Sequence, residues 1–222
     1  MGKKLKINNS LLTLKKIEKF IIPFNPPVFT FERSIRNTPF RILISVLLSS
    51  RTKDTVTKDA SKKLFSIADT PEKMLKIGEQ RIKELIYPVG FYKRKAKNIY
   101  EICKKLIQIK KVPDNFIELI NLSGVGRKTA NLVLALAFNK PSIAVDTHVF
   151  RISKRVGWAK GEKPEMIEKE LKKMFPEIFW NKINQTLVGF GQTVCKPQNP
   201  SCNICILKKE CPYYKLKRIN KK

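Results

Sequence analysis

Residues 121–151, NLSGVGRKTANLVLALAFNKPSIAVDTHVFR, decide how this chain reads. Gly124 and Gly126 stand one residue apart just before an apolar helical run over 129–138, with the basic pair Arg127-Lys128 between. A Gly-x-Gly turn leading into a helix points backbone amides outward at the helix N-terminus, an anion site suited to a phosphate. Lys128 falls in the first turn, where the helix dipole and Arg127 both disfavour its charge. It is therefore a candidate neutral nucleophile. Val-Asp-Thr-His closes the stretch and sets the carboxylate of Asp146 eighteen residues after Lys128. Each piece alone is common, since most Gly-x-Gly pairs are plain turns and most lysines are solvated. The rest of the chain gives them weight.

The 222 residues carry a formal charge of +28, with basic residues spread along the whole length. So large an excess suits a polyanionic partner. Nucleic acid is preferred over an anionic membrane surface, because no long amphipathic segment has a wholly apolar face. A general lysine bias is the competing account. No apolar run approaches a membrane span, and residues 42–48 and 132–138 read as buried helix segments. The N-terminus, MGKKLKINNS, lacks the apolar core of a signal peptide.

Four of the five cysteines lie within seventeen residues, as Cys195-x6-Cys202-x2-Cys205-x5-Cys211. This clustering points to a metal centre in a reducing compartment rather than to disulfides. Four thiolates suit tetrahedral zinc and a four-iron cubane alike. Cys103 reads as a core residue, and Lys196, Lys208 and Lys209 read equally as phosphate contacts or as solvated charges.

Helical periodicity dominates the chain. It predicts helices over 11–22, 39–48, 55–65, 71–77, 80–86, 93–109, 115–121, 129–138, 146–156, 163–174 and 179–190. Asp54 is expected to cap the third, and Asp69-Thr70-Pro71-Glu72 opens the fourth. Residues 23–31, with three prolines, read as a loop. No stretch alternates as a strand does, so the class is all-α.

Three features now converge: Leu-Ser-Gly-Val-Gly-Arg-Lys-Thr-Ala at 122–130, Val-Asp-Thr-His at 145–148, and the cysteine tail. Together they resemble the endonuclease III family of DNA glycosylases, within the helix-hairpin-helix superfamily, over about residues 39–213. The resemblance implies that Lys128 is the catalytic lysine and Asp146 the catalytic aspartate. It implies that Leu122, Gly124, Val125, Gly126 and Arg127 form the hairpin that holds a DNA phosphate. It implies that Cys195, Cys202, Cys205 and Cys211 ligate a [4Fe–4S] cluster. Residues 47–54 match a loop that enters the duplex, with Arg51 where the bacterial pattern often has glutamine. Residues 90–92 match a second wedge loop, with Phe91 where leucine is common. An arginine can fill the vacated stack and bond the orphaned base, and a phenylalanine can stack into the gap.

The implied architecture is two all-α domains with a DNA-binding cleft between them. Residues 32–140 would form a helical barrel domain bearing the helix-hairpin-helix, and 1–31 plus 141–222 an iron–sulfur cluster domain. The implied function is a bifunctional glycosylase and AP lyase. It would excise oxidised pyrimidines as a monomer on double-stranded DNA with damaged bases or abasic sites. The expected location is the cytoplasm of a prokaryotic cell, associated with the nucleoid. His148, the only histidine, reads as a proton relay beside Asp146 or, preferably, as a hydrogen-bonded core helix residue. Two rivals are a monofunctional mismatch glycosylase, which relatives suggest would lack lysine at 128, and a non-catalytic DNA-binding module. The Lys128/Asp146 pair speaks against the second.

Overall fold

A computed structural model describes residues 2–35 and 38–219, with side chains over 9–34 and 38–216. The lysine-rich end at 220–222 and the side chains of the basic N-terminal segment lie outside the described residues. Among the described residues every regular element is helical. In chain order these are α1 (Gly2–Ile21), α2 (Pro27–Ile35), α3 (Pro39–Ser49), α4 (Asp54–Ile67), α5 (Pro71–Ile86) and α6 (Tyr92–Ile109). Then come α7 (Phe116–Ile120), α8 (Arg127–Phe138), α9 (Thr147–Arg155), α10 (Pro164–Met174), α11 (Trp180–Thr193) and α12 (Pro212–Ile219). Short 3-10 turns occupy Ile22–Phe24 and Glu177–Phe179. The chain divides into two compact units, Met1–Thr30 with Pro141–Lys222, and Phe31–Lys140. No helix among the described residues is long and apolar enough to cross a membrane.

In the unit Phe31–Lys140, α3 is buried at Phe40 and from Ile42 through Leu48, with only Arg41 between them part-exposed. A helix apolar all round has nowhere stable to go but a core. Thr38 starts it by accepting the Arg41 amide, and Pro39 fills the first position, where its missing N–H costs nothing. The core of this unit is completed by α8 against α3 and by α5 along α6. Thr70 and Asn115 cap α5 and α7 through their side chains. At Gly78 (φ 77°, ψ 163°) α5 breaks, which separates the two apolar runs at 71–77 and 80–86.

In the other unit, Leu14, Ile17 and Ile21 of α1 share one core with Val149 and Ile152 of α9, Ile167 and Leu171 of α10, and Ile183, Leu187 and Phe190 of α11. Each such fully buried side chain is worth roughly 1.5–3 kcal/mol of transfer free energy. A Cβ on Gly189 would lie 2.8 Å from Ile21 Cδ1 and 3.0 Å from Pro26 Cγ. The missing side chain is what lets α1 lie close along α11.

Three expectations are corrected. Residues 23–31 are not a loop, since α2 begins at Pro27, the helix position that tolerates proline best. Asp54 does not cap α4. Lys53 holds the cap position without a side-chain bond, and Asp54 sits in the first turn, where it complements the dipole. The helix α12 has no counterpart in the predicted set; it starts at Pro212, directly after Cys211.

Candidate active site and cysteine loop

The segment between α7 and α8 is a tight hairpin. The Val125 amide donates to the Leu122 carbonyl at 3.1 Å, and both side chains are buried, so these two residues hold the turn from inside. Gly124 has φ 74°, and a Cβ there would collide with the side-chain amide of Asn98. Asn98 is itself fixed, because its Oδ1 accepts the Ser123 hydroxyl at 3.0 Å. Glycine is thus required at 124 both by dihedral and by space. Gly126 is the N-cap of α8, with no side chain to occupy the amides of the first turn. The exposed Arg127 stacks its guanidinium 4.9 Å from the Phe116 ring. Lys128 follows, half-buried, in the first turn.

Asp146 lies in the other unit, as the N-cap of α9, and is half-buried. Its Oδ1 accepts the Val149 amide at 2.8 Å, which fixes the carboxylate at the start of that helix.

The two loops read as wedges come together. Arg51 (φ 53°) and Phe91 (φ 57°) are both in the left-handed region, and both are exposed. Non-glycine residues there carry a cost of about 1 kcal/mol or more and persist only where the surroundings impose it. The Arg51 guanidinium lies 5.5 Å from the Phe91 ring centre. The Thr52 hydroxyl accepts the Gly90 amide at 3.1 Å, and a Cβ on Gly90 would lie 2.6 Å from the Arg51 carbonyl.

Cys195, Cys202, Cys205 and Cys211 line one pocket, partly open to solvent. Burial, then the neighbouring cysteines, pushes the Cys205 thiol up to about 11. A bound cation reverses that preference and draws off the proton. Arg155 fastens the loop. It donates to Cys195 Sγ at 3.4 Å, to the Lys196 carbonyl at 2.7 Å and to the Pro197 carbonyl at 2.8 Å. Its guanidinium also lies 4.2 Å from the Tyr213 ring, beyond the fourth cysteine. Arg151 donates to the Cys195 carbonyl at 2.9 Å and to His148 Nδ1 at 3.1 Å. Arginine only donates, so Nδ1 is the acceptor and a neutral ring carries its proton on Nε2. His148 is therefore a hydrogen-bonded helix residue, though half-buried rather than deep in the core.

Residues 44–177 match the family model of HhH-GPD superfamily base excision DNA repair proteins. Endonuclease III of Thermotoga maritima is 49% identical over 188 residues, 83% of this chain and 88% of that protein. The chain belongs to the endonuclease III family. Endonuclease III of Rickettsia felis is 44% identical over 189 residues, 84% of this chain and 89% of that protein. A solved structure of a trapped endonuclease III–DNA covalent intermediate has a TM-score of 0.86 at 33% identity, over 96% of this chain and 98% of that one. A thermostable thymine-DNA glycosylase follows at 0.70 and 27%, over 92% of this chain and 99% of that one.

One residue of this family member escaped the motif reading. Lys95 is buried, with 6% of its surface exposed. Its ammonium donates to the Leu48 carbonyl at 2.8 Å, the Ser50 carbonyl at 2.5 Å and the Thr52 hydroxyl at 3.2 Å. The signal was present: Lys95 continues the apolar stripe of Ile99, Ile102 and Leu106, a place where a lysine needs a reason. Burial, helped by the charge of Lys128, lowers its pKa from 10.5 to about 8. Between those values the unfolded chain binds more protons, so this group's contribution to stability rises with pH there. Below pH 8 the buried charge counts fully against folding. The urea midpoint of wild type, taken relative to Lys95→Met, is expected to rise from pH 8 to 10.5, by up to about 3 kcal/mol in stability. A flat difference across that window contradicts the assignment.

Proposed function

We propose that Lys128 and Asp146 carry out the family's reaction in this chain. The chain is a bifunctional DNA glycosylase and AP lyase of base excision repair; it excises oxidised pyrimidines from duplex DNA and cleaves the strand by β-elimination. The observation that carries the residue assignment is Lys128 in the first turn of α8, directly behind the Gly124 turn and the side-chain-free cap at Gly126. The turn grips a phosphate of the strand through backbone amides, aided by Arg127. The +28 charge suits double-stranded DNA with damaged bases or abasic sites.

A base inside a duplex shields its sugar, so it is extruded first, at a cost of a few kcal/mol. Arg51 and Phe91, exposed side by side, fill the vacated stack. Lys128 Nζ bonds to C1′ as the C1′–N bond to the damaged base breaks. Asp146 takes the lysine's proton or steadies positive charge on the sugar. The C1′–O4′ bond then opens, with O4′ taking a proton, to leave a Schiff base between C1′ and Nζ; this acidifies the C2′ hydrogen, and loss of that proton breaks the C3′–O bond and expels the 3′ phosphate. The test is borohydride capture on a thymine-glycol duplex, which traps the protein on DNA as a covalent adduct. Absence of any adduct with the wild type removes the lyase assignment.

We read the cysteine loop as the site of a [4Fe–4S] cluster held by Cys195, Cys202, Cys205 and Cys211. The four cysteines lining one pocket support it. Bound there, the cluster stiffens a loop flanked by Lys196, Lys208 and Lys209, which then meets phosphates. Purified protein is expected to be brown, with a broad visible band and about four irons per chain. A colourless zinc protein rejects this reading. In this picture Phe31–Lys140 is the hairpin domain and the remainder the cluster domain of a monomer. It works in the cytoplasm of a prokaryotic cell, on the nucleoid.

A further inference from the structure

We infer that Lys95 is the positioning residue that presents both Arg51 and Phe91 to the duplex. This rests on the reading that those two side chains enter the vacated stack. Arg51 stands between Ser50 and Thr52, and Lys95 holds both neighbours, one by its carbonyl and one by its hydroxyl. The third bond, to Leu48, anchors the end of α3 from which the loop departs. The three donors of one ammonium thus meet three acceptors on a single five-residue path. The backbone of Lys95 serves the other wedge, since its amide donates to the Phe91 carbonyl at 3.0 Å. Thr52 closes the circuit by accepting the amide of Gly90, next to Phe91.

The chemistry of the contact argues for this role over simple packing. Among the described residues no carboxylate accepts from Lys95, so it is not a buried ion pair held for charge balance. An apolar side chain would continue the stripe of Ile99 and Ile102 and avoid a buried charge. What only an ammonium supplies here is a fixed point for a loop whose central residue sits at φ 53°. Arginine carries its donors in a planar fork and does not match three acceptors arranged around one nitrogen.

The experiment uses the full-length protein and a duplex with 2-aminopurine opposite a tetrahydrofuran abasic analogue, where insertion of the wedge changes the fluorescence. In Lys95→Met the fluorescence change is expected to vanish and kcat/KM on a thymine-glycol duplex to fall about tenfold or more. Borohydride capture on a single-stranded abasic oligonucleotide should stay within about threefold of wild type, and the melting temperature should not fall. Lys95→Arg should recover only part of the signal. An unchanged fluorescence response in Lys95→Met overturns the inference, and so does an equal loss on the single strand. Should Lys95→Met fail to fold, Thr52→Val removes one acceptor and the tie to Gly90, and a wild-type response in it overturns the inference. Arg51→Ala and Phe91→Ala are measured alongside. If both respond like wild type, the wedge reading falls and takes the inference with it. If both lose the response while Lys95→Met keeps it, only the role of Lys95 falls.

Discussion

Lys128→Ala is expected to give no borohydride-trapped DNA adduct and to lower excision of thymine glycol by about a thousandfold or more. The nitrogen that bonds to C1′ is gone, and with it both the nucleophile and the Schiff base. Alanine is the best helix former, so the first turn of α8 and the Gly124 hairpin before it should survive the change. Binding to an abasic-analogue duplex should fall far less, because the backbone turn still grips the phosphate. Lys128→Arg tests the same point from the other side: it keeps the charge and loses the nucleophile. The nearby Lys95 does not substitute, since all three of its donors are taken. An undiminished adduct in Lys128→Ala would sink the assignment.

The second large effect is expected at Asp146, where chemistry and structure can be separated. The carboxylate caps α9 by accepting the Val149 amide. Asparagine caps about as well as aspartate, so Asp146→Asn should unfold near the wild-type denaturant midpoint while excision falls about a hundredfold. Asp146→Ala loses the cap too and should cost about 1 kcal/mol of stability besides. Full excision by Asp146→Asn would reduce the residue to a cap. If the Asn variant loses excision but still forms adducts on preformed abasic DNA, the carboxylate acts in base loss and not in the later elimination.

The parts of the site that a reader can find in the sequence are those whose meaning is local. Gly124 and Gly126 announce a turn, Lys128 its first helical position, and the four cysteines a loop closed on itself. The helices were legible for the same reason: an apolar stripe at 3.6 spacing, as in α6, needs no knowledge of its partner. Failures came where one residue type has two uses. Proline breaks a helix in its middle but opens one at its first position, so the sequence around Pro27 alone does not reveal α2. Long-range contacts were invisible. Nothing near Gly124 in sequence says that Asn98 lies beneath it, and nothing near Arg51 says that Phe91 and Lys95 stand beside it. Arg155 is likewise unremarkable until Cys195 and Tyr213 are seen on its two sides.

The core that α1 shares with residues 143–190 has a consequence for synthesis on the ribosome. Leu14, Ile17 and Ile21 leave the ribosome more than a hundred residues before most of the side chains that bury them. The intervening Phe31–Lys140 can close on itself while the first helix waits in solvent with its apolar face uncovered. The unit Phe31–Lys140 can therefore pack before α1 finds its partners. Until residues 143–207 are made, the apolar face of α1 stays open to chaperones and proteases.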